Sequence, residues 1–183
     1  YSDIVYNGEQ GISFLSIPGA KEVGVEFYSL SKSYNLTGCR VSFLTGNAKV
    51  IQAVKTIRSQ IDYGTFLPVQ YGAIAALNEP DDAIIKQCKT YEERMKTLCG
   101  GLRSIGWEVP DSKGSMFVWL PLPEGYTNSA EFALELAQKS GVLCTPGSSF
   151  GSLGEGYVRM ALVLPSEKIK EAVAAIAESG IIK

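Results

Sequence analysis

The sequence contains no histidine. That absence removes imidazole acid–base catalysis, Ser-His and Cys-His nucleophile pairs and histidine-ligated zinc together, so any proton transfer falls to lysine, tyrosine or a carboxylate. Cysteine is sparse: Cys39, Cys88, Cys99 and Cys144 are widely scattered and lack the close pairing that metal sites and redox motifs use. They read as reduced thiols. No apolar run is long enough to span a bilayer, and no charged-then-apolar leader opens the chain. A formal net charge of -2 supplies no basic field for nucleic acid or a membrane surface. These absences predict a globular, cytoplasmic protein with no metal, no nucleic-acid partner and no membrane partner.

What is present is 183 residues, 45% of them hydrophobic, enough for a sizeable core in one domain or two small ones. One stretch stands apart from core-like sequence: Ser29-Leu30-Ser31-Lys32-Ser33-Tyr34-Asn35-Leu36-Thr37-Gly38-Cys39-Arg40, directly after the strand-like run Val23 to Tyr28. A lysine shielded at the end of a strand is an amine able to attack a carbonyl and form a Schiff base. The hydroxyls of Ser29 and Ser31 and a guanidinium eight residues beyond the lysine suit a dianionic phosphate. Lysine for an aldehyde and arginine for a phosphate together describe pyridoxal phosphate. The bland alternative is a solvated lysine and arginine flanking a polar turn.

The pattern Ser-x-Ser-Lys followed by Gly-x-Arg resembles the cofactor-lysine motif of the class I/II aminotransferases, the fold-type-I pyridoxal-phosphate enzymes. The resemblance implies that Lys32 is the internal-aldimine lysine, which later carries a proton between the substrate α-carbon and the cofactor, and that Ser29 and Arg40 hold the phosphate. Asp3 and Tyr6, 29 and 26 positions before Lys32, match the family's Asp-x-x-Tyr pair. There the aspartate pairs with the pyridine nitrogen and the tyrosine hydroxyl meets the ring's phenolic oxygen. A carboxylate in that place keeps the pyridine protonated, and the pyridinium is the electron sink. Tyr63, in the loop from Asp62 to Pro68, matches a segment that crosses the dimer interface toward the partner's cofactor. Arg159 stands in a Tyr-Val-Arg setting after Pro146-Gly147-Ser148-Ser149-Phe150-Gly151, where the family binds the substrate's α-carboxylate. On residue pattern alone, an outward, solvated Arg159 is the more expected reading.

Ser2 to Gly8 reads as a short strand closed by an Asn-Gly turn. Val41 to Gly46 reads as another, and Val50, Ile51, Val54, Ile57 and Ile61 as the buried stripe of a helix. An alanine-rich helix follows over 69–77, then a long amphipathic helix over 82–105. Strands are expected over 114–121, 142–145 and 156–163. Between them lies a helix opened by Asn128 and closed by Gly141, and the last helix is capped by Ser166. The fold expected is α/β: residues 1–85 are the later part of the cofactor-binding large domain, joined by the long helix to a small α/β C-terminal domain over 86–183. Tyr1, directly before an apolar run, reads as a cut through a larger protein.

The resemblance therefore implies the later part of an aminotransferase that moves an amino group between an amino acid and a 2-oxo acid and is a homodimer when intact, with these residues alone inactive. A pyridoxal-phosphate lyase or synthase of the same fold, or a non-catalytic dimerisation fragment, is the alternative.

Overall fold

Local capping chemistry and apolar spacing set most element boundaries. The computed structural model describes residues 1–182. In chain order it contains α1 (Ala20–Val23), β1 (Val25–Ser29), α2 (Leu30–Ser33), β2 (Ser42–Gly46), α3 (Ala48–Arg58), α4 (Leu67–Asn78), α5 (Asp82–Ser104), β3 (Phe117–Pro121), α6 (Ser129–Ser140), β4 (Thr145–Pro146), β5 (Tyr157–Ala161) and α7 (Ser166–Glu178). Two compact units divide it, Tyr1–Gln87 and the residues from Cys88 onward, with the division inside α5. Among the described residues no helix is long and apolar enough to cross a membrane.

In the first unit β1 and β2 pair antiparallel, Val25 opposite Gly46 and Ser29 opposite Ser42. Gly46 has φ +125°, and a Cβ there would lie 2.5 Å from the Gly24 carbonyl, so the ladder closes only on glycine. Asn47 then starts α3 by accepting the N–H groups of Lys49 and Val50 at 3.0 and 3.2 Å. Leu30, Val41 and Ala73 form a small core, with Tyr28, Leu36 and Val69 packed against it.

Two expectations fail in this unit. Ser2 to Gly8 is no strand: Ile4 N–H donates to the Tyr1 carbonyl and Glu9 N–H to that of Tyr6, committing the backbone to turns, and Val5 alone makes a bridge. The Asn7-Gly8 turn does form, at φ +61° and +72°. The α3 stripe exists as a pattern but not as a core. No α3 residue is buried, and Ile57 is 60% exposed. Amphipathic spacing marks a face suited to burial without supplying what covers it.

In the second unit three antiparallel strands lie in the order β3-β5-β4, with Trp119 and Thr145 both opposite Arg159. Strand alternation sends Val118, Leu120, Val158 and Met160 into the core. There they join Leu98, Leu102, Phe132, Leu136, Ile169 and Ile176 from α5, α6 and α7. Asn128 caps α6 through the N–H groups of Ala130 and Glu131, and Gly141, at φ +72°, ends it. Two details differ from expectation. The strand over 142–145 shrinks to the pair Thr145–Pro146. Ser166 is the first residue of α7 rather than its cap: Pro165 holds the cap position, and the Ser166 hydroxyl donates to Glu93 at 2.8 Å.

Candidate active site

Directly after β1, Lys32 sits in the single helical turn α2. Ser29 ends β1 with extended backbone and accepts the Ser31 N–H on Oγ at 3.2 Å, which starts the turn. Leu30, fully buried, pins the turn to the core. Thr37 Oγ1 donates to the Ser31 carbonyl at 2.8 Å, and Gln87 Nε2 donates to the Lys32 carbonyl at 2.6 Å, fixing the backbone on both sides of the amine. The Lys32 side chain is half-buried. Its Nζ lies 5.9 Å from the centroid of the Tyr1 ring, and no hydrogen bond or ion pair holds it among the described residues.

The neighbouring Ser33 ties this turn to Asp3. Asp3 Oδ2 accepts from the Ser33 hydroxyl and, at 2.5 Å, from the Tyr28 hydroxyl. Its other oxygen, Oδ1, has no partner among the described residues. The carboxylate is thus anchored by one oxygen and available by the other. Asp3 and Tyr28 line a cleft of about 420 Å³ together with Glu9, Tyr34 and Asp81.

Burial, and then donation to the Asp3 carboxylate, pushes the Tyr28 phenol up to about 12. The folded value exceeds the unfolded one, so this contribution to stability is complete below about pH 10 and is lost as pH rises toward 12. In an ultraviolet titration, one of the nine tyrosines should stay largely protonated at pH 11, and Tyr28→Phe should remove that late component. A Tyr28→Phe titration superimposable on wild type would refute the pairing.

Tyr6 is almost wholly buried. Arg40 is exposed, adopts φ +51°, and folds its guanidinium back so that Nη1 donates to the Thr37 carbonyl at 3.0 Å; no carboxylate pairs with it among the described residues. Ser29 and Arg40 therefore flank one knitted segment that also carries Lys32. Tyr63 is not brought to that segment. It is fully exposed in the α3–α4 loop and lines a different cleft of about 540 Å³ with Leu44, Ile51 and Val54.

Arg159 belongs to the second unit. Its strand neighbours Val158 and Met160 take the core face, so the arginine shares the opposite face with Phe117, Trp119 and Tyr157. It is half-buried, with no ion pair among the described residues. Among those residues, no cluster of three acidic or cysteine side chains is arranged to hold a metal.

Sequence reasoning did not single out Tyr28, Ser33, Gln87, Phe117 or Phe150. Ser33 and its partner Asp3 are 30 positions apart, and Gln87 is 55 positions from Lys32, so neither contact carried a local signal.

The family model for aminotransferase class I and II matches residues 1–176. This chain belongs to that family. Curated members similar to it include the LL-diaminopimelate aminotransferases of Dehalococcoides mccartyi, 48% identical over 177 residues, and of Moorella thermoacetica, 46% identical over 173. These alignments take in 97% and 94% of this chain but 45% and 44% of the relatives, so the chain spans less than half their length. Among solved structures, a probable N-succinyldiaminopimelate aminotransferase from Thermus thermophilus matches with a TM-score of 0.90 and 36% identity, over 98% of this chain and 48% of its own. An aminotransferase from Staphylococcus aureus matches with a TM-score of 0.92 and 34% identity, over all of this chain and 48% of its own. The chain thus has the α/β fold of the fold-type-I aminotransferases.

Proposed function

We propose that this chain supplies the lysine-bearing and carboxylate-binding half of a pyridoxal-phosphate-dependent aminotransferase, and that the amino acid it serves is LL-diaminopimelate or a close analogue. The observation that carries the reading is the pairing at α2: Lys32 presents an amine free of hydrogen bonds among the described residues, while the adjacent Ser33 grips Asp3 so that one carboxylate oxygen stays available.

The residues present fit pyridoxal phosphate. Lys32 Nζ would be the amine for its aldehyde, and the free oxygen of Asp3 would accept from a protonated pyridine nitrogen. Tyr6 would meet the phenolic oxygen, while Arg40 and Ser29 would offer a guanidinium and a hydroxyl to the phosphate. When bound, the cofactor supplies an electron sink for charge developing at the substrate α-carbon. Lys32 then moves a proton to and from that carbon, and Arg159 orients the substrate by taking its carboxylate edge-on. The substrate assignment rests on the names of the relatives. Ile57, Tyr71 and Ile74 on α3 and α4, with Phe66 just before α4, are exposed, which supports a homodimeric parent in which further chain covers them, and Tyr63 is proposed to reach the partner's site in that parent. The intact protein is proposed to act in the cytoplasm.

The test is amino transfer by the full-length protein from LL-diaminopimelate to 2-oxoglutarate, read as glutamate formed. Glutamate production is expected. Consumption of the amino acid with ammonia or an eliminated group, and no glutamate, would assign a lyase or synthase instead. The 183-residue chain alone is expected to give no turnover and no stoichiometric imine absorbance on titration with pyridoxal phosphate; tight stoichiometric binding would show the site to be complete within it.

A further inference from the structure

Arg159 is set among aromatic rings. Its guanidinium carbon lies 4.2 Å from the centroid of the Phe117 ring and 4.5 Å from that of Phe150. Phe150 in turn meets Trp119 edge-on at 5.4 Å, and Trp119 stacks on Tyr157 at 5.6 Å with an interplanar angle of 21°. Phe117 arrives from β3, whereas Phe150 arrives from the short 3-10 turn Gly147–Phe150. A backbone contact holds the ends of that loop region together: a Cβ on Gly147 would lie 1.9 Å from the Gly154 carbonyl, and one on Gly154 would lie 2.1 Å from the Gly147 carbonyl. Phe150 is nevertheless 50% exposed, so filling the core does not account for its place.

A guanidinium has two kinds of surface. Its flat faces are attracted to aromatic quadrupoles, while its donors radiate in the plane. Aromatic neighbours therefore restrain the group without consuming N–H bonds, whereas a carboxylate neighbour from the protein would occupy the donors that a ligand needs. We infer that Phe117 and Phe150 are positioning residues that fix the Arg159 guanidinium with its donor edge open to a planar carboxylate. This rests on the reading of Arg159 as the substrate-carboxylate ligand, and adds that the two phenyl rings set its orientation and affinity.

The experiment uses the full 183-residue chain labelled with nitrogen-15, with sodium propionate as the probe at constant ionic strength. The Arg159 side-chain Nε–Hε signal is assigned by its disappearance in Arg159→Gln. In the wild type it should be displaced by ring currents and move on titration with propionate. Phe150→Leu, which keeps an apolar side chain but removes the ring, should reduce the displacement and weaken propionate binding about two- to fivefold. Phe150→Tyr should restore both, an outcome that a merely space-filling role would not require. Phe117→Leu should act in the same direction, and if it fails to fold, the Phe150 pair decides. Wild-type affinity in both leucine variants would overturn the positioning role while leaving Arg159 as the carboxylate ligand. No Arg159-dependent response to propionate in the wild type would remove both.

Discussion

Lys32→Ala in the full-length protein is expected to lower the rate of amino transfer about 10²- to 10⁴-fold, the range for losing a positioned proton-transfer group, and to abolish the imine absorbance. The expectation follows from what the side chain does not do. The amine makes no hydrogen bond or ion pair among the described residues, and the turn around it is held by Ser29, Thr37 and Gln87 acting on backbone groups. Removing the amine should therefore leave stability within about 0.5 kcal/mol, as for substitutions away from structural features. Lys32→Arg separates charge from nucleophilicity: a guanidinium keeps the positive charge but is not deprotonated in proteins, so it should lose rate to a similar extent. Activity retained in Lys32→Arg, or imine absorbance retained in Lys32→Ala, would contradict the covalent role.

Trp107→Ala should give the largest loss of stability among single substitutions in the second unit. The indole is 1% exposed, meets the Phe132 ring edge-on at 5.3 Å, and donates its Nε1–H to the Pro121 carbonyl at 2.9 Å. Truncation leaves a large cavity, costing about 3–5 kcal/mol, and also leaves the carbonyl at the end of β3 without its donor. Trp107→Phe keeps most of the volume and loses the hydrogen bond, so it should cost about 1 kcal/mol plus a packing term. Urea unfolding followed by circular dichroism measures both. Equal costs for the two variants would show that the hydrogen bond, not the cavity, dominates.

The sequence made the second unit more legible than the first. Asn128 and Gly141 bracket α6 because capping is local chemistry that a few residues decide. The β3 and β5 runs, with residues buried alternately, are equally self-declaring. In the first unit the Ser2 to Gly8 alternation was real, since Ile4 and Tyr6 are buried, but their backbone groups went to turns, and an apolar pattern cannot distinguish those outcomes. The α3 stripe misled for a related reason: periodicity shows which face is apolar, and its coverage depends on groups beyond the pattern. At the site, Lys32, Ser29 and Arg40 were readable because one short segment carries all three. The Asp3 anchors Tyr28 and Ser33 were not, because 25 and 30 positions separate the partners and only the folded chain juxtaposes them. The aromatic setting of Arg159 needed both the strand register and the glycine-held loop.

The alternation along β5 constrains how this chain can diversify. Val158 and Met160 enter the interior on either side of Arg159, so displacing the strand by a single residue would thrust a charge into hydrocarbon and expel two apolar side chains. Fidelity of folding and the aim of Arg159, the proposed carboxylate ligand, are thereby enforced by one and the same ladder. Insertions or deletions immediately beside β5 should be purged far more strictly than point changes on its solvent-facing side, leaving exchange of the rings around Arg159 as the change the strand tolerates most readily.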